Sequence, residues 1–159
     1  MAKIVLCSGS PRRQELLRRI GIEQFDIRVP QVEETYPAGL NPRETVEYIS
    51  REKAEAARRL CAEDEIFITA DTMVFLDDAR LGKPHDEADA LRMLTALQGR
   101  RHTVCTGVSV GLGNHLETES EATEVVFRPA TEAELRGYIR TGECMDKAGA
   151  YGVQGKGAL

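Results

Sequence analysis

Residues 65–76, EIFITADTMVFL, carry the strongest β signal in the sequence, with β-branched and aromatic residues on both sides of one aspartate. A run of this character needs a sheet to sit in, and a sheet needs helices or a second sheet to cover it. Helix-like segments flank it. Residues 3–7 read as a short buried strand, Ser10 caps a following helix with Pro11 at its first position, and Gly21 stops it. Leu16, Leu17 and Ile20 would form that helix's apolar face, Phe25 to Val32 a second strand, and Tyr36 to Leu40 a loop.

Asn41-Pro42-Arg43-Glu44 opens a long helix running to about Leu60, by the Asn cap, first-turn Pro and third-position Glu. LGKP, Leu81 to Pro84, reads as a loop, and Asp86 caps a helix ending near Leu97 with Gly99 as the stop. His102 to Leu112 and Ala122 to Phe127 read as strands. Thr131 and Glu134 form a capping box for a helix through Ile139, and the glycine-rich tail from Asp146 shows no regular element. The order β-α-β-α-β-α-β-β-α predicts an α/β fold with a mixed sheet.

The 159 residues, 42% of them apolar, suffice for one domain with a real core, in one or two lobes. A formal net charge of −5 and 5% aromatic residues argue against a nucleic-acid-binding module. No apolar run approaches the ~18–20 residues of a membrane span, and the first residues lack the pattern of a signal peptide. Cys7, Cys61, Cys105 and Cys144 are widely spaced with no C-x-x-C, which reads as reduced thiols and a cytoplasmic chain. The histidines are scattered and suggest no zinc cluster.

Three features break local rules. Lys53 falls in the middle of a helical face shared by Val46, Ile49, Ala57 and Leu60; it is either a lysine snorkelling at the core edge or an ammonium aimed into a cleft. Asp71 interrupts FITADTMVF, and is either solvated at a bulge or turn, or buried and then paired or bound to a cation. Ser8-Gly9-Ser10-Pro11-Arg12-Arg13 joins a strand to a helix N-terminus. It is either an ordinary capped helix with solvated arginines or an oligophosphate cradle of free N–H groups, hydroxyls and guanidinium forks. It is not a Walker loop. Lys83 in the GKP turn and the segment Asp146 to Gly152 are weaker signals, and Glu33-Glu34 reads by default as a solvated pair.

In order along the chain, SGSPRRQELL (8–17), VEET (32–35), REKA (51–54), ADTMV (70–74), GKP (82–84), TGV (106–108) and DKAGAYGVQG (146–155) resemble the Maf family, the septum-formation-inhibitor-like nucleoside triphosphate pyrophosphatases. The resemblance implies an ITPase-like α/β domain spanning residues 1–159, with an elongated mixed sheet flanked by helices and two lobes around a central cleft. It implies hydrolysis between the α and β phosphates with Mg²⁺ or Mn²⁺. Asp71 resembles the catalytic carboxylate and a metal ligand, and Glu33 a second metal ligand. Ser8, Ser10, Arg13, Lys53, Lys83 and Lys147 resemble the groups around the polyphosphate. Arg12, Thr72 and Gln154 match the residues of the branch that prefers dTTP and UTP. Family members continue past the GxQGxG segment with a further strand region and helix, so a missing C-terminal segment is expected, as is a homodimer. A nucleotide-binding regulator of septum formation with little catalysis is the alternative that the resemblance leaves open.

Overall fold

The computed structural model describes residues 2–152 and 157. It contains β1 (Ile4–Leu6), α1 (Pro11–Arg19), β2 (Asp26–Ile27), α2 (Pro42–Arg58), β3 (Ile66–Leu76), β4 (Ala79–Leu81), α3 (Glu87–Leu97), β5 (Arg101–Leu112), β6 (His115–Val126) and α4 (Glu132–Ile139). A 3-10 turn follows at Ala148–Ala150. The strands form one six-stranded sheet in the order β2-β1-β3-β5-β6, with β4 paired to β3. β1 runs parallel to both β2 and β3, and β4 runs antiparallel to β3, so the sheet is mixed as the element order predicts. Among the described residues no helix is long and apolar enough to cross a membrane.

Two compact units divide the chain. The first comprises Met1–Asp71 and Thr106–Glu121, the second Thr72–Cys105 and Ala122–Leu159. In the first, Val5, Cys7, Ala54, Ala57 and Phe67 form a buried cluster. The backbone of α2 lies so close to β5 that a Cβ on Gly107 would sit 2.4 Å from the Val46 carbonyl oxygen. This gives the TGV segment its physical reason, since any side chain there would push the helix away. Buried hydroxyls line the same contact: Ser50 Oγ lies 2.8 Å from Ser109 Oγ, and Thr69 donates to the Ser50 carbonyl at 2.7 Å. The second unit packs α3 and α4 around Val74, Leu94, Leu97, Leu135 and Ile139.

The helix caps fall where the sequence places them. Ser10, Asn41, Asp86 and Thr131 are all N-caps whose side chains accept a backbone N–H, and Asn41 and Thr131 complete capping boxes. Gly21 (φ 94°) ends α1, with Gly21 N–H donating to Arg18 O and Ile22 N–H to Leu17 O.

Several expectations are corrected. The second strand covers only Asp26–Ile27, because Pro30 has no N–H to continue the ladder and the Arg28 side chain turns to Glu65. Leu16 and Ile20 are exposed and only Leu17 of that trio is buried; Leu60 lies beyond the end of α2 and is exposed. β4 went unread because its two-residue Asp77-Asp78 turn is a hairpin of the kind that needs positive φ, adopted here by Asp77 (φ 51°). β6 begins at His115, seven residues before the expected Ala122, since HLETESE lacks an apolar alternation. It is held as a strand by a two-residue hairpin to β5, with Gly113 at φ 58°.

Candidate active site

β1 and β3 are parallel neighbours, and the carboxyl end of β1 opens beside the middle of β3, where Asp71 lies. In parallel sheets this end is where ligands gather, since helix N-termini open there. β1 runs into Ser8, which is buried. Its hydroxyl accepts from the Ser10 N–H at 3.2 Å and from Arg13 Nη1 at 3.0 Å. Ser10 in turn caps α1 by accepting from Arg13 N–H. Ser8, Ser10 and Arg13 are therefore one hydrogen-bonded cradle at a helix N-terminus, a site suited to an anion.

β3 passes straight through Asp71, so the aspartate lies in continuous strand rather than at a bulge or turn. It is 3% exposed. Lys53 reaches it from α2, with Nζ 3.2 Å from Asp71 Oδ1, 3.1 Å from the Ala70 carbonyl oxygen and 3.0 Å from Glu34 Oε1. The ammonium is therefore a partly buried cation shared by two carboxylates, and the snorkelling alternative is set aside. The Ala70 carbonyl also accepts from Arg13 Nη1 at 3.2 Å, so it joins the cradle to the Lys53–Asp71 pair.

Loss of solvent is the main influence on the charges of both Asp71 and Arg13. It pushes the Asp71 carboxyl above its ordinary value, against the pull of Lys53, and pushes Arg13 down from its usual range. Asp71 Oδ2 is buried and has no hydrogen-bond partner. An orphaned buried carboxylate oxygen is costly unless something completes it.

The remaining predicted residues are placed as follows. Glu33 is exposed, and the acidic side chain that reaches Lys53 is its neighbour Glu34. Arg12 is partly buried and pairs with Glu15 at 3.2 Å. In the second unit, Thr72 is partly buried on β3, Lys83 is exposed, and Lys147 Nζ donates to Glu143 O at 2.7 Å and Asp146 Oδ1 at 3.1 Å. Gln154 lies outside the described residues. Among the described residues no three His, Cys, Asp or Glu side chains form a ready-made ion cage.

Residues 3–159 match the family described as Maf-like protein. The chain belongs to the Maf-like family. Three curated Maf-like relatives named dTTP/UTP pyrophosphatase show how far the likeness extends. The Phocaeicola vulgatus protein is 47% identical over 96% of this chain and 79% of its own length. The Vibrio cholerae protein is 46% identical over 99% of this chain and 83% of its own, and the Bacillus pumilus protein 45% over 100% and 83%. Among solved structures, the Staphylococcus aureus Ham1 protein superposes with a TM-score of 0.52 at 15% identity, covering 78% of this Maf-like chain and 71% of that one. That likeness gives the fold alone.

Proposed function

We propose that this Maf-like protein is a nucleoside triphosphate pyrophosphatase that hydrolyses dTTP and UTP to the monophosphate and pyrophosphate. The observation that carries the reading is the buried Asp71, with one oxygen on Lys53 and the other unpartnered, beside the Ser8–Arg13 cradle that follows the carboxyl end of β1. The names of relatives at 45–47% identity support the substrate class.

The chain's own groups divide the work. The cradle at the start of α1 binds non-bridging phosphate oxygens. Lys53 neutralises charge that builds toward the leaving pyrophosphate. Asp71 Oδ2 takes the proton from the water attacking the α-phosphorus, and the elevated basicity that burial confers on the carboxylate suits that task. Asp71 and the Glu33–Glu34 pair are the oxygen donors that would hold a divalent cation, Glu33 as the resemblance implies and Glu34 as the carboxylate already beside Lys53, and this all-oxygen donor set fits Mg²⁺ or Mn²⁺. Such an ion, when bound, neutralises phosphate oxygens and acidifies water. Arg12, Thr72 and Gln154, which match the pyrimidine-preferring branch, are assigned to base selection.

The test is pyrophosphate release from dTTP, UTP, CTP, dATP, GTP and 7-methyl-GTP, with and without Mn²⁺. Metal-dependent release from dTTP and UTP above the others is expected. Binding of dTTP without turnover would instead favour a regulatory nucleotide-binding protein.

A further inference from the structure

The second unit contains a buried polar pair that the proposed chemistry does not use. His102 is the second residue of β5 and is 3% exposed; Tyr151 follows the 3-10 turn and is 8% exposed. His102 Nε2 and the Tyr151 phenol oxygen are 2.6 Å apart. Phe127 closes the group edge-on, its ring 5.0 Å from His102 and 4.6 Å from Tyr151. His102 Nδ1 is buried with no partner. Whichever tautomer forms, one ring nitrogen stays unsatisfied, a cost that three apolar rings would avoid. Packing alone does not account for a histidine here.

What the pair holds is the turn before it. Gly149 and Ala150 both have left-handed backbone, φ 69° and 65°. For alanine that conformation is disfavoured, so the turn is kept in shape from outside. The tethers are visible. Tyr151 is fixed by His102, Gly152 N–H donates to Tyr138 Oη at 3.1 Å, and Gly149 N–H donates to Gly82 O at 3.0 Å. The last ties the turn to the GKP loop that carries Lys83. A side chain on Gly149 would press within 2.7 Å of Val74 Cγ2, so the turn sits flush on β3. Lys147 enters the same turn, and its stem lies where a Cβ on Gly152 would be, 2.8 Å from Cδ and Cε.

We infer that the His102–Tyr151 hydrogen bond is a positioning latch: it fixes the Lys147 turn and, through Gly149 and Gly82, the Lys83 loop, so that both lysines are set for a polyphosphate tail. His102 is a positioning residue that touches no substrate. The polyphosphate half of this inference rests on the proposed function; the structural half does not.

The experiment uses the full chain with His102→Phe, Tyr151→Phe, their double variant and His102→Gln, read by amide hydrogen exchange and by steady-state kinetics on dTTP. The latch predicts exchange over residues 146–152 about tenfold faster in each single variant and no faster in the double, with α3 unchanged. It predicts KM raised about fivefold to tenfold with kcat within about twofold, and substantial rescue in His102→Gln, whose amide can still meet the phenol. Unchanged exchange at 146–152, or loss of protection spread through α3, overturns it. So does a fall in kcat at constant KM. If His102→Phe does not fold, Tyr151→Phe, which removes one oxygen, decides. If the unaltered chain shows no turnover, the functional reading fails, and the exchange data alone judge the latch.

Discussion

Lys53 Nζ lies 3.2 Å from Asp71 Oδ1 and leaves Asp71 Oδ2 buried without a partner. The two residues come from different elements, the middle of α2 and the middle of β3, and each is unfavourable in its own element by pattern alone. Together they make a polarised carboxylate: one oxygen neutralised, the other available. A structural ion pair would be expected to satisfy both oxygens. The unsatisfied one supports the proposal that this site takes a ligand.

Replacing Asp71 by Asn keeps the shape and removes the basic oxygen. Pyrophosphate release should fall about 10³-fold, within the range for a lost general base. Folding should be retained, since burial already disfavours the charge at this position. Turnover assays and thermal unfolding on the same preparation check both. Activity close to that of the unaltered chain would remove Asp71 from the chemistry.

Glu34 and Glu33 separate cleanly. Both side chains are exposed, and Glu34 stands 3.0 Å from Lys53 Nζ. Glu34→Gln should lower turnover about 100-fold, and Glu33→Gln should leave it within about twofold. The reverse order of effects would give the role to Glu33, as the resemblance implies.

Gly107→Ala probes the contact that holds α2, and therefore Lys53, against the sheet. The added Cβ would lie 2.4 Å from Val46 O and 2.6 Å from its carbonyl carbon, both backbone atoms that cannot swing aside. Denaturant unfolding should show a loss of about 3 kcal/mol. A loss within experimental error would mean that α2 shifts freely.

Glu65 gives the pH dependence of stability. Arg28 clasps it with Nη1 at 2.7 Å and Nη2 at 2.9 Å, and the Ala62 N–H adds a third bond at 2.6 Å. Hydrogen bonds from Arg28, then from Ala62, hold the carboxyl down at about 2, below its ordinary 4.5. A depressed carboxyl stabilises the fold fully above 4.5 and loses that contribution as pH falls toward 2. Denaturant unfolding of the unaltered chain and of Glu65→Gln should therefore differ most near neutral pH and converge in acid. A constant difference across that range would contradict the assignment.

Much of the molecule was legible from local chemistry. Ser10, Asn41, Asp86 and Thr131 each cap a helix through one side-chain oxygen, a signal contained within a few residues. Asp71 and Lys53 stood out because each violates the pattern of its own element. What was not legible depends on partners distant in sequence. The first half of β6 is polar and becomes a strand only by pairing with β5. Glu34 is chosen over Glu33 by where the loop passes Lys53. His102 looked like an isolated histidine until the fold brought Tyr151 to it across 49 residues.

The most direct test of the central claim is the identity of the products when the full chain acts on dTTP with Mg²⁺ or Mn²⁺. Separation by ion-exchange chromatography should show dTMP and pyrophosphate in equal amounts, with no dTDP at any time. Appearance of dTDP and orthophosphate, or absence of turnover with either metal, would contradict the account.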